Sequence, residues 1–288
     1  MKIDLHAHST HSDGKESVAE VFGYAAEAGL DVLALTDHDT TSGWVEASAE
    51  AAKHGISFVP GIEVTTTHHG VSVHMLAYLP NPNYAPLTDR LNEVRFARET
   101  RVERYVENLQ QVYLDLTIDA VKAQLKDTGK SIGRPHIADA MVALGYFGHR
   151  NEVFAGPLDK NSPFHVPSGG IHTVEAVKLI RAAGGVPVMA HPMARASKEL
   201  VITEKHRERF LEVIDAGLAG FELDHREVGP IAKTWLQGLA KEFDLVVTGS
   251  SDYHGLTGKD NRLGEHTTTM EMLKRIEAQA SGSTIQWA

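Results

Sequence analysis

Short apolar runs alternate with helical stretches along most of this chain, and most of the runs end in the same kind of residue. Lys2–Leu5 leads into His6-Ala7-His8, Asp31–Thr36 into Asp37-His38-Asp39, and Ser57–Ile62 into Glu63. Val71–Tyr78 carries His74, Val186–Ala190 ends at His191-Pro192, and Leu245–Gly249 ends at Ser250-Ser251-Asp252-Tyr253-His254. With Gly220–Leu223, which ends near Asp224-His225, these make seven strands. Strands separated by helices build a parallel sheet or barrel. In α/β barrels the functional groups gather at the C-terminal strand ends, so ligands far apart in sequence become neighbours. On an extended chain residues i and i+2 point the same way. His6 and His8 therefore converge, and Asp13 on the following loop reaches the same pocket.

The spaces between strands read as helices with ordinary start and stop signals. Ser17 and Glu20 form a capping box before Val18, Val21, Phe22 and Ala25, and Gly29 ends that helix. His54, at the end of a helix over 43–54, is structural, because a basic group suits the C-terminal dipole. From about residue 95 to 170 no strand is evident. Leu87–Tyr113 is one long helical pattern, a second helix spans Thr117–Lys126, and a third opens at Gly133-Arg134-Pro135-His136. Residues 1–94 and 171–288 are thus expected to form one α/β barrel domain, with 95–170 a helical insertion.

There is no cysteine among the 288 residues, so disulfides, thiolate nucleophiles and sulfur-ligated metals are excluded. Any metal must be held by the 17 histidines and the carboxylates. The formal charge of −10 argues against an extended nucleic-acid surface, though not against a small phosphorylated ligand. No apolar run approaches the length of a membrane span and no signal peptide precedes the first strand, so a soluble, cytoplasmic protein is expected. Monomer is the expected state.

His6, His8, His38, His74, His191, His254, Asp13, Glu63 and Asp252 make nine candidate ligands. One ion takes about four to six, so two or three ions sharing carboxylates fit better. Imidazole and carboxylate without sulfur suit manganese, zinc or iron. Such a cluster activates water near neutral pH and neutralises charge developing on a phosphoryl group, which is the chemistry of phosphate-ester hydrolysis.

His6-Ala7-His8-Ser9, Ser12-Asp13-Gly14, Thr36-Asp37-His38-Asp39, Gly61-Ile62-Glu63, Ala190-His191-Pro192 and Ser251-Asp252-Tyr253-His254 resemble the successive motifs of the PHP (polymerase and histidinol phosphatase) family. The resemblance implies a distorted seven-stranded (β/α) barrel with a trinuclear metal centre. It implies His6, His8, Glu63 and Asp252 on one ion, Glu63, His74 and His191 on a second, and Asp13, His38 and His254 on a third. Gly133-Arg134-Pro135-His136-Ile137-Ala138 resembles the motif of small bacterial members that act on nucleotides. The implied substrate is AMP, a 3′,5′-bisphosphonucleotide or the 5′ end of a short oligoribonucleotide. A histidinol-phosphate-type phosphatase is the alternative, and a C–N-cleaving amidohydrolase or an idle binding module are the remaining rivals.

Asp13, His38, His254 and Arg134 are the expected catalytic residues. The insertion is expected to cover the pocket, with Arg134 and His136 at the substrate phosphate, because a guanidinium at a helix start suits an anion. Arg195 and His225 are further candidate substrate contacts. Asp37 and Asp39 are expected to orient ligands, while His11, His68, His69, His165 and His172 are expected on loops facing solvent.

Overall fold

The computed structural model describes residues 1–124, 133–167, 169–194, 196–197, 199–257 and 259–288. In chain order the elements are β1 (Ile3–Asp4), α1 (Val18–Glu27), β2 (Val32–Leu35), α2 (Trp44–His54), β3 (Ser57–His68), β4 (Val71–Tyr78), α3 (Ala85–Glu99), α4 (Arg101–Gln110), α5 (Ile118–Lys122), α6 (Arg134–Ala143) and α7 (Arg150–Ala155). There follow β5 (Ile171–His172), α8 (Thr173–Ala182), β6 (Val186–Met189), α9 (Glu204–Asp215), β7 (Gly220–Asp224), α10 (Pro230–Glu242), β8 (Val246–Gly249) and α11 (Met270–Gln279). Among the described residues no helix is long and apolar enough to cross a membrane.

The chain divides into two compact units, residues 1–92 with 170–288, and residues 93–169. In the first, the sheet runs in the order β1-β2-β3-β4-β6-β7-β8, and the short β5 pairs with β3 off this path. A parallel bridge between Ala7 and Tyr253, just past β1 and β8, brings the two edges together into a nearly closed barrel of seven strands. The strands are apolar on both faces because both are covered. In β2, Val32 and Ala34 join the cluster that includes Ile3, Leu5, Val59, Leu76, Val188 and Val246, while Leu33 and Leu35 pack with Phe22 of α1 and Ala47 of α2.

The barrel departs from uniform parallel order at β4, which is antiparallel to both β3 and β6. The cause is local. His69-Gly70 is a two-residue turn with positive φ at both positions (47° and 76°), and a turn that short can only reverse the chain. β3 therefore continues beyond Glu63 to His68, and His74 returns alongside at the register of Thr65. Glu63 and His74 both lie inside a long hairpin, so Glu63 is not, as expected, at a strand end.

The second unit is helical. Its core gathers Val102, Tyr105, Val106 and Leu109 of α4 with Leu116, Val121, Ile137, Met141, Val153 and Leu158. The single helix expected over 87–113 is two, α3 and α4, separated at Thr100, whose hydroxyl donates to the Phe96 carbonyl (2.8 Å). A side chain that bonds back to the preceding turn in this way competes with the helical ladder.

Candidate metal centre and active site

The cup forms where β1, β2, β6 and β8 end and the β3–β4 hairpin passes. Glu63 lies at its centre, 1% exposed. Its Oε2 lies 3.1 Å from His6 Nε2, 3.0 Å from His8 Nε2 and 3.3 Å from His38 Nε2. Its Oε1 lies 2.8 Å from His74 Nδ1 and 3.2 Å from His191 Nε2. One carboxylate thus faces five imidazoles. Asp252 Oδ1 lies 3.4 Å from His6 Nε2, 3.3 Å from His8 Nε2 and 3.3 Å from His254 Nδ1. Asp13, half exposed, places Oδ1 3.3 Å from His254 Nε2 and Oδ2 3.7 Å from His38 Nε2. All nine candidate ligands therefore meet in one place.

The loops are built to deliver them. Ser9 and Ser12 are tied to Asp37, which accepts from Ser9 N (2.8 Å), Ser9 Oγ (2.7 Å) and Ser12 Oγ (2.6 Å). Gly14 closes the loop by donating to the Ser9 carbonyl, and a Cβ there would lie 2.6 Å from the His8 oxygen, so only glycine lets the chain fold back this tightly. Asp39 accepts from Thr65 N and Oγ1 (2.7 and 2.8 Å) and fixes β3 beside the His38 loop. Asp39, His191 and Asp252 hold positive φ (54°, 28° and 53°). Strained backbone of this kind persists where the surroundings enforce it, and it clusters at functional sites.

Glu222 of β7, fully buried, was not foreseen as part of the site. It accepts from His6 Nδ1 (2.9 Å), from the His191 backbone N–H (2.8 Å) and from the Ser250 hydroxyl. Its sequence signal is a lone carboxylate inside the apolar Gly220–Leu223 run. Lys259, also unforeseen, donates to Asp252 Oδ2 (2.6 Å).

The electrostatics follow from crowding buried acids and bases. Burial drags His8 down, yet the carboxylates of Asp252 and Glu63 overcome it and hold its pKa up at about 9. Burial dominates at His38, with Glu63 opposing it, and its pKa falls to about 3. Glu63 and Asp252 are pushed up by burial but end well below the usual carboxylate range, Glu63 through His38, His6 and His74 and Asp252 chiefly through His6, His225 and His8.

The donor set fits divalent cations. His6 Nδ1–H is committed to Glu222, so in neutral His6 the Nε2 lone pair points inward, only 3.0 Å from His8 Nε2. Ligand atoms bound at about 2.0–2.1 Å to one ion sit about 3.0–3.4 Å apart, which is the spacing seen here. Asp252 Oδ1 and His38 Nδ1 are buried without a hydrogen bond. Within the cup three groups can hold an ion: His6, His8, Glu63 and Asp252; His38, Glu63 and His74; and His8, Asp13, His38 and His254; a fourth group, His68, His69 and Glu212, lies at the tip of the β3–β4 hairpin.

The other candidates are distributed differently. His225 is buried. Its Nδ1 accepts from the Glu227 N–H, and its Nε2 faces Asp252 Oδ2 at 3.6 Å. Arg134 and His136 belong to the helical unit. There the Arg134 guanidinium lies over the Phe154 ring (5.9 Å), and His136 Nδ1 caps α6 by accepting from Gly133 N–H (3.0 Å). Arg195 lies outside the described residues. His68, expected on a solvent-facing loop, instead ends β3 and is buried, with Nε2 3.0 Å from the Arg209 carbonyl.

Comparison with known proteins agrees with this geometry. The family model for the PHP domain matches residues 4–152. The 3′,5′-nucleoside bisphosphate phosphatase of Chromobacterium violaceum is 34% identical over 95% of this chain and 94% of its own. The 5′-3′ exoribonuclease of Haemophilus influenzae is 30% identical over 88% of this chain and 90% of its own. A solved structure from Bifidobacterium adolescentis, assigned as a metal-dependent phosphoesterase, superposes with a TM-score of 0.77 at 36% identity, covering 97% of this chain and 96% of that one. The chain belongs to the PHP domain family.

Proposed function

We propose that this chain is a metal-dependent phosphoesterase that hydrolyses phosphate esters of nucleotides. The observation that carries this reading is Glu63, one buried carboxylate facing five imidazole nitrogens within 3.3 Å. The identities of the relatives support the substrate class. His6, His8, Glu63 and Asp252 would hold one ion, Glu63, His74 and His191 a second, and Asp13, His38 and His254 a third. Two or three ions of manganese, zinc or iron suit this sulfur-free set. Once bound, such ions lower the pKa of water and place positive charge at the phosphoryl oxygens.

The remaining work falls to the protein. Glu222 holds the proton of His6 on Nδ1 and keeps Nε2 directed into the cup, as partners of ligand imidazoles commonly do. The Asp252 carbonyl fixes the His254 proton on Nδ1 (2.8 Å) and leaves Nε2 toward Asp13. Asp13, the most exposed of the nine, stands beside the buried His38 and His254, and these three are the proposed groups at the reacting centre. Arg134 and His136 of the helical insertion are proposed as contacts to the substrate phosphate, Arg134 through its planar fork. His225 is a secondary contact acting through Asp252.

The test is phosphate release from AMP, adenosine 3′,5′-bisphosphate and short 5′-phosphorylated RNA with manganese present. Turnover of at least one nucleotide, absent with a cyclic amide substrate, supports the reading. Hydrolysis of the amide alone overturns it.

A further inference from the structure

The β3–β4 hairpin runs on past the cup and carries imidazoles of its own. Its tip lies five residues beyond Glu63, about 16 Å further along an extended strand. His68 is the last residue of β3 and His69 the first of the turn. Their rings meet edge to face with centroids 4.4 Å apart. Opposite them stands Glu212 of α9. Its Oε2 and Oε1 lie 2.9 and 3.2 Å from His69 Nε2, and Oε2 lies 3.6 Å from His68 Nε2. His172 of β5 stands next in line, its ring 5.8 Å from that of His68. None of these groups belongs to the nine in the cup.

An exposed His69–Glu212 ion pair is worth little by itself, and it does not account for His68. His68 is 7% exposed, and its Nδ1 is buried without a hydrogen bond. Its Nε2 lies 3.0 Å from the Arg209 carbonyl, which can only accept, so the proton sits on Nε2. Nδ1 lacks a partner whichever nitrogen carries that proton. Moving it to Nδ1 therefore gives up a single bond, the one to the carbonyl, and leaves the Nε2 lone pair beside the Glu212 carboxylate. A lone pair and a carboxylate so placed repel each other unless a cation stands between them. The separations of 2.9 to 3.6 Å are close to those of ligands that share one ion bound at about 2.0–2.1 Å.

We propose that His68 Nε2, His69 Nε2 and the Glu212 carboxylate form a cation site separate from the cup, taking one zinc-type ion with water in its fourth position and stapling the hairpin tip to α9. Two imidazoles and one carboxylate with an open position are a known zinc donor set. Both stapled elements wall the cavity that contains the cup, the hairpin through His68, Val71 and Val73 and α9 through His206, Arg209 and Phe210. His69 and Glu212 are 40% and 46% exposed, so this site exchanges with solvent and fills after the buried cup. What the cup hydrolyses does not enter the argument.

The test uses the full chain as wild type, Glu212→Gln and His69→Asn, each stripped with chelator and then equilibrated with excess Zn²⁺. Both positions are exposed, and asparagine tolerates the positive φ of 47° at His69, so the variants keep the fold. Wild type should hold one zinc ion per chain more than either variant, measured by elemental analysis after removal of free metal. Nitrogen NMR of the imidazoles should show the His68 and His69 resonances shifting as the last ion binds to wild type. Zinc should also raise Tm further in wild type than in the variants, because an ion that binds only the folded chain stabilises it. Equal zinc uptake by all three proteins, or His68 and His69 resonances that zinc does not move, would overturn the site. A zinc-dependent rise in Tm that is the same in all three would overturn the staple.

Discussion

The barrel unit and the helical unit bury different chemistry. Every buried polar or charged side chain among the described residues, from Asp4 to Thr268, lies in the barrel unit, and none lies between residues 93 and 169. The helical unit instead packs Tyr105, Leu109, Leu116, Ile137, Met141 and Val153 into an apolar core, and its candidate substrate group Arg134 stays partly exposed. Burying charge costs free energy unless each group finds a partner. The cup carries that cost with six imidazoles and three carboxylates in mutual contact, and cations among them would offset it. The helical unit carries none of it. The difference teaches where stability and function oppose each other: in the cup the reactive groups are held by burial, whereas the helical core does nothing but fold.

Substitutions can break that contrast or sharpen it. The largest effect is expected from Glu63→Gln, which removes the charge at the centre of the cup. Bound transition metal and kcat/KM should fall together, the latter by about 1000-fold or more, consistent with the several kcal/mol that metal assistance supplies. Glu222→Gln should be next. Removing the carboxylate that holds His6 lowers metal affinity by about 10- to 100-fold, read by competition with a chelating dye. Arg134→Ala is expected to lower kcat/KM for a nucleotide by about tenfold or more with metal content unchanged. A loss of metal in that variant would erase the distinction between the two regions. Leu109→Ala should have the smallest effect at the site. It opens a cavity in the helical core, costs about 2–5 kcal/mol of that unit's stability in a denaturation series, and leaves the barrel's metal content intact.

Most of the barrel could be read from the chain because two periodicities were visible, alternation into strands and 3.6-residue stripes between them. The family resemblance and the nucleotide class carried by the motifs also stand beside the relatives that the chain matches. What escaped depends on neighbours distant in sequence. Glu222 looked like an ordinary strand residue until His6, His191 and Ser250 converged on it from 216, 31 and 28 positions away. His68 looked like a loop histidine because the hairpin was not recognised, although His69-Gly70 carried the turn signal. The break at Thr100 had no glycine or proline to announce it.

The central claim is that the nine converged side chains hold the ions that make this protein a phosphoesterase. Elemental analysis of one sample, paired with nucleotide phosphate release before chelation, after chelation and after metal return, tests it most directly. The account predicts two to three transition ions per chain, activity lost with them and regained with them. Undiminished phosphate release from protein free of such ions would contradict it.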